Sequence, residues 1–331
     1  MNPDLSVILG ACGGYKAVRA TVQRLKRQSC AEKMELIVVG VEGVVEVPPE
    51  DAAVFWGCQT IQMEHAVSVG AANAEGVRRA RAPVVVFGED HCFPEAGWAE
   101  ALIEAHRQPY TVVGPVFRNA NPRTTVSWCD FLLAYGPWMY PSQGGFRTFL
   151  PGHNSSYKRA ELLAYGDRLE EALEMETVLH FEMASKGHKL YLEPRARVSH
   201  LNFAILSVWL KVQFYVGWSF AGHRATGWPA ARRLFYVLAW PLIPVMRFVH
   251  VVRELFAPGR PSGLLWRITP MLLFGLAVDG VGQFLGYSLG PRQSAANLRD
   301  YEYNRIRFVT AAERDVTSDG ARPATTSKKP R

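Results

Sequence analysis

Three short, nearly continuous apolar runs, at 5–9, 35–39 and 84–87, constrain this chain more than any other feature. Each is rich in Val, Ile or Leu and stops at small or polar residues. Runs of this kind are strands buried on both faces, and such strands occur where helices cover a parallel sheet. The pattern between the first two, Val18, Val22 and Leu25, is an amphipathic helix with a basic outer face. Strand, helix, strand with short connections is a βαβ unit, which predicts a parallel α/β sheet.

The third run leads directly into Gly88, Glu89, Asp90 and His91. Open α/β sheets place their ligands at the carboxyl ends of their strands. Two acids and a histidine at that point form a candidate metal site. Carboxylate oxygen with imidazole nitrogen suits Mn²⁺ or Mg²⁺ carrying a diphosphate better than a thiolate metal. The first run breaks into Gly10-Ala11-Cys12-Gly13-Gly14, small residues that let the backbone approach a ligand. A further short strand is expected at 55–61. Residues 66–82 hold Gly70, Ala71, Ala72, Asn73 and Gly76 before a basic turn, and predict a helix lying close on the sheet. Another helix is expected at 94–106 and a strand at 110–116. Residues 119–145, rich in aromatics, proline and glycine, read as an irregular segment of a length that usually carries function.

In order and spacing these features resemble the family 2 glycosyltransferases over roughly residues 5–202. The second strand and its end, Glu35-Leu-Ile-Val-Val-Gly-Val-Glu-Gly43, take the place of the family's EIIVVDDGS pattern. The stretch Gly70-Ala-Ala-Asn73-Ala-Glu-Gly76 matches its small-residue helix. Glu89-Asp90-His91 replaces its DxD motif, and Pro151-Gly-His-Asn154 its glycine–asparagine segment. Glu174-Met-Glu176, Gly187 and Val198-Ser-His200 follow in the family's order. The resemblance implies a GT-A fold, the Rossmann-like mixed sheet of nucleotide-diphospho-sugar transferases. It implies that Gly10, Ala11 and Asn73 border the nucleotide, with Glu89, Asp90 and Asn154 nearby. Glu89, Asp90, His91 and His200 would hold the divalent metal, and Glu176 would be the base for an inverting transfer. A histidine in the motif lowers the site's negative charge and favours Mn²⁺ over Mg²⁺. Gly40 and Val41 stand where the family has paired aspartates, so only Glu42 is placed to contact the base. That departure also allows a catalytically degenerate GT-A domain, a membrane-bound partner in polysaccharide assembly. A nicotinamide-binding protein is disfavoured, because the first glycine turn lacks GxGxxG.

Composition shifts after His200. Apolar stretches at 201–220, 234–246 and 268–278 are broken by Lys211, Pro241, Pro244, Arg247, Arg267 and Asp279, and are flanked by arginines and tryptophans. Interfacial or hairpin-like helices on an anionic membrane surface fit this mixture best, with the first of them lying on the surface; two kinked spans, or a buried helical subdomain or dimer interface, are the alternatives. The formal charge of +7 suits phosphorylated ligands or such a surface and is too small to indicate nucleic acid. Five cysteines without CxxC spacing read as reduced thiols, and no signal peptide is recognised. The expected organisation is a GT-A domain at 1–202, facing the cytoplasm, a helical membrane-associated segment at 203–309 and a disordered tail at 310–331. The expected ligands are a nucleotide-sugar donor and a lipid-linked or envelope acceptor.

Overall fold

The computed structural model describes residues 2–63 and 68–313. The 310–331 tail expectation therefore lies outside the described residues from 314 on. The chain opens with β1 (Leu5–Cys12), α1 (Tyr15–Leu25), β2 (Met34–Glu42), a one-turn α2 (Pro49–Ala52) and β3 (Gly57–Gln62). Next come α3 (Val69–Arg79), β4 (Val84–Gly88), β5 (Cys92–Pro94), α4 (Trp98–Ala105) and β6 (Val112–Asn119). After α5 (Thr125–Tyr135), β7 (Gly145–Phe146) and β8 (Ser156–Lys158) come α6 (Arg159–Leu163), α7 (Leu169–Leu173), α8 (Glu176–Ser185) and β9 (Leu190–His200). Helices α9 (Leu206–Arg224), α10 (Ala230–Ala239), α11 (Leu242–Leu255), α12 (Leu265–Leu289) and α13 (Ser294–Tyr303) complete the described chain.

The strands form one mixed sheet in the order β3-β2-β1-β4-β8-β6-β9-β5, with β7 also pairing β9. Strands β1 to β4 are parallel. β8 runs antiparallel between β4 and β6, and β6 pairs β9 in parallel. The apolar runs are buried as expected: Leu5, Val7, Ile8, Leu9, Leu36, Ile37, Val38 and Val39 are all at most 1% exposed. One acid lies among them. Glu35 accepts from Ser6 Oγ (2.5 Å), Gln59 Nε2 (2.6 Å) and the Arg81 amide (2.8 Å), tying β1, β3 and the end of α3 to β2. Its charge is tolerated there because three donors replace water. Helix α3 lies close on the sheet: a Cβ on Gly76 would come within 2.4 Å of Ile8 Cγ2.

Two expectations change. The 119–145 segment is not irregular throughout: α5 occupies its middle. The Thr124 side chain caps α5 by accepting from the Ser127 amide, and Val126, Cys129, Phe131 and Leu132 are buried. A helix buried nearly all round has no polar stripe to reveal it. The 94–106 helix starts only at Trp98, because Cys92–Pro94 pairs β9 as a strand and Gly97 turns the chain with φ 81°.

The expected surface position of the 201–220 stretch is also corrected. Trp209, Val212 and Gly217 of α9 are buried against α12. Glycines on α12 form the seam. A Cβ on Gly282 would meet Phe214 O at 2.1 Å, and one on Gly286 would meet Trp218 O at 2.4 Å. Among the described residues one helical stretch, Ser262–Leu289, is long and apolar enough to cross a membrane. With 44% of its window buried, it equally meets the description of a core helix.

Candidate active site

The carboxyl end of β4 delivers Glu89, Asp90 and His91, and β9 ends at His200, paired in register with Cys92. This pairing, absent from any local pattern in the sequence, brings the late histidine to the acidic motif. The His91 and His200 rings meet edge to face, with centroids 4.9 Å apart. One atom each of Glu89, His91 and His200 lie within 4.8 Å of one another. His91 Nε2 is 3.2 Å, and His200 Nε2 3.9 Å, from Glu89 oxygens. The far nitrogens are held from behind: His91 Nδ1 by Asp90 Oδ1 at 2.5 Å, and His200 Nδ1 by Asn202 Oδ1 at 2.9 Å. Donation of Nδ1–H to those oxygens orients both rings with Nε2 toward Glu89, and a metal bound there would replace the proton that His91 otherwise carries. Both Nε2 atoms are buried and have no hydrogen-bond partner among the described residues. Two orphaned imidazole nitrogens and a carboxylate form a donor set that fits Mn²⁺. Asp90 stands behind His91, outside that set.

Asn154, with φ 62°, donates through its Nδ2 to Glu89 Oε2 at 3.0 Å, and its amide donates to Phe87 O at 2.8 Å. Beside it, His153 places Nδ1 at 3.8 Å from Glu89 and 3.5 Å from Glu176. The sequence reading passed over His153. Its only signal was a titratable side chain inside the glycine–asparagine turn. Glu176 is the first residue of α8 and is 6% exposed. It packs on Gly152, where a Cβ would lie 2.9 Å from Glu176 Oε2. Glu174 points away from this pair and accepts a hydrogen bond from Ser68 at the α3 N-terminus.

The electrostatics follow from burial. Desolvation raises the Glu176 carboxyl above its usual range, against the opposing pull of His153. Glu89 goes the other way: burial opposes its charge, but His153 and His91 hold it well below. Burial also opposes charge on His91 and His153. Their carboxylate neighbours outweigh it, and both rise to about 9. His200, desolvated and facing His91, falls well below its ordinary value and stays neutral.

The remaining expected residues lie around this centre. Gly10 and Asn73 line a small space next to Glu89 and His153, and Ala11 is buried in β1. Glu42 lies in β2, and its side chain is outside what the structure describes. A larger cavity of about 410 Å³ opens between the sheet domain and the helices, lined by His153, Glu176, Asp130, Trp138, Phe203 and Arg305 among others. Asp130 and Arg305 were not singled out from the sequence, because each reaches the site through a distant contact.

A mixed sheet of this order, with acids and histidines gathered at its strand ends, is the GT-A fold of nucleotide-diphospho-sugar transferases. Residues 6–160 match the model of glycosyl transferase family 2. Among solved structures, the mannosyltransferase PcManGT from Pyrobaculum calidifontis, in complex with GDP-Man and Mn²⁺, superposes with a TM-score of 0.50 at 15% identity. That match covers 90% of this chain and 87% of the other. GalNAc-T7, with UDP, GalNAc and Mn²⁺, matches at TM-score 0.45 and 13% identity over 60% of this chain, and S. aureus TarS at 0.43 and 14% over 86%. This chain spans 43% and 55% of the length of those two. No protein of curated function matches the chain in sequence.

Proposed function

We propose that the protein is a metal-dependent, inverting glycosyltransferase that moves a sugar from a nucleotide-sugar to an acceptor hydroxyl at a membrane surface. The reading rests above all on the convergence of Glu89, His91 Nε2 and His200 Nε2 beside the buried Glu176–His153 pair. Glu89, His91 and His200 would hold Mn²⁺, whose charge stabilises a departing diphosphate. Asp90 and Asn202 keep the two imidazoles in the right tautomer, and Asn154 aims Glu89. Gly10, Ala11 and Asn73 border the nucleotide. Glu176 takes the acceptor's proton. Its burial makes it a stronger base than an exposed glutamate, which suits that role. A nucleotide-sugar with Mn²⁺ is also what the P. calidifontis neighbour holds.

Calorimetric titration of UDP, GDP, ADP and CDP, with and without Mn²⁺, tests this. Saturable binding of one of them that requires Mn²⁺ is expected. A folded sample that binds none would leave the degenerate-partner reading in its place, consistent with Gly40 and Val41 at the end of β2.

The membrane part rests on α10 and α11, which meet at a bend of 68°. No residue of α10 is buried. Leu234, Phe235 and Leu238 on α10 are 57–71% exposed, and Leu242, Val245, Met246 and Val249 on α11 are 43–70% exposed. On α11 their spacing places them on one face. A lipid surface covers such a face at a gain of roughly 1.5–3 kcal/mol per large side chain. Phe235→Asp combined with Met246→Asp is expected to reduce co-sedimentation with anionic vesicles by about tenfold or more. Nucleotide binding should be unchanged. Undiminished sedimentation of the double variant would remove the claim for this face.

A further inference from the structure

Beyond α12 the chain returns to the candidate site. Tyr303, the last residue of α13, lays its ring on Gly10, where a Cβ would be 2.8 Å from Tyr303 Cε1. The neighbouring Glu302 brings a carboxylate oxygen within 4.8 Å of ligand atoms of both Glu89 and His153. Three carboxylates, Glu89, Glu176 and Glu302, thus share one histidine, His153, an arrangement that like-charge repulsion disfavours. Glu302 and Tyr303 reduce the space around Gly10, Asn73 and Glu89 to about 30 Å³. That is room for one water and far too little for a nucleotide.

Arg305 is the counterpart of Glu302. It is 6% exposed, and its guanidinium lies 3.8 Å over the Phe203 ring. Nη2 donates to Glu302 Oε2 at 3.0 Å, and Nη1 lies 3.6 Å from Asp130 Oδ2. Asp130 is itself held by the Phe203 amide at 2.9 Å. Arg305 Nε is buried without a hydrogen-bond partner among the described residues, and the side chain lines the 410 Å³ cavity that also holds Glu176. The stack on Phe203 and the contact with Asp130 leave the guanidinium in place if Glu302 departs.

We propose that Glu302 stands in for the donor's diphosphate, and that the incoming diphosphate displaces it and takes over Arg305. A carboxylate that pairs a buried arginine next to the metal-ligand cluster has the charge and acceptor chemistry of a phosphate oxygen. A guanidinium with a free Nε accepts phosphate in a forked geometry that a carboxylate on a short side chain only partly uses. This deepens the nucleotide-sugar reading above and rests on it.

The full-length protein, titrated with the tightest-binding nucleoside diphosphate and Mn²⁺, tests the proposal. Arg305→Gln is expected to weaken the diphosphate by about tenfold or more, the size of a lost charge-assisted bond. The corresponding nucleoside should lose nothing. Glu302→Gln is expected to bind the diphosphate more tightly than the parent, a gain that misfolding cannot produce. Binding of Mn²⁺ alone should be unaffected by Glu302→Gln. If Glu302→Gln weakens Mn²⁺ and diphosphate together, Glu302 is a metal ligand and the stand-in role is overturned. Parent-like diphosphate affinity in Arg305→Gln overturns the arginine's role. A phosphorylated lipid offers the same chemistry, so vesicles with and without phosphatidic acid form a second arm. Loss of affinity in Arg305→Gln for the vesicles alone would assign the arginine to an acceptor and overturn the donor claim. If the parent itself binds no nucleoside diphosphate, the nucleotide-sugar reading fails first and takes this one with it.

Discussion

Glu176→Gln is expected to bind nucleoside diphosphate as the parent does and to transfer sugar about 10²–10⁴-fold more slowly, the range for loss of a general base. The substitution is nearly isosteric, so the contact with Gly152 and the start of α8 are kept. What it removes is a proton acceptor. Glu176 Oε1 is buried with no hydrogen-bond partner among the described residues, 3.5 Å from His153, and it borders the larger cavity. Burial raises its affinity for a proton. Parallel measurement of binding by calorimetry and of turnover by released nucleoside diphosphate separates the two effects. Turnover close to that of the parent would move the base elsewhere. Glu174 is a poor substitute, because its carboxylate is engaged by Ser68 on α3.

The second large effect is expected at His200. His200→Ala should weaken Mn²⁺ binding by about 100-fold or more, since even groups that merely orient a ligand change metal affinity by about 10–100-fold. Metal-dependent nucleotide binding should fall with it, while thermal stability falls less than in His91→Ala. The reason lies in what each histidine leaves behind. Asn202, the partner of His200, also donates to Asn119 Oδ1 (3.0 Å) and to His200 O (2.9 Å), and stays anchored without the ring. His91→Ala is a less clean experiment. It strips Asp90 of its 2.5 Å partner inside a buried site, and an unpaired buried carboxylate destabilises the fold itself. Mn²⁺ titration with a thermal melt on the same sample checks the prediction. Unchanged Mn²⁺ affinity in a folded His200→Ala protein would remove His200 from the site.

The same contrast explains what the sequence made legible. β1, β2 and β4 are buried on both faces, so their composition alone marks them. The small residues of α3 mark its close approach to Ile8. β5, β7 and β8 are only two or three residues long and carry no periodicity. Their pairings with β9, β6 and β4 exist only in three dimensions. The family pattern pointed to Asn154 and away from its neighbour His153, which is the residue that bridges Glu89 to Glu176. Glu302 and Arg305 were further from reach. They sit in a polar stretch that reads as the end of a helical segment, and the groups they meet lie far earlier in the chain.

The cavity beside Glu176 has walls of two origins. One wall belongs to the sheet and helices that precede His200, and the other to the segment that follows it, through Phe203, Val212, Gln213 and Arg247. Substitutions along the second wall alter the shape of the chamber without disturbing a strand. Descendants of such a protein can therefore change what they admit on one side while inheriting the chemistry on the other. Conversely, trimming the chain after His200 would leave the reacting groups on an open bench.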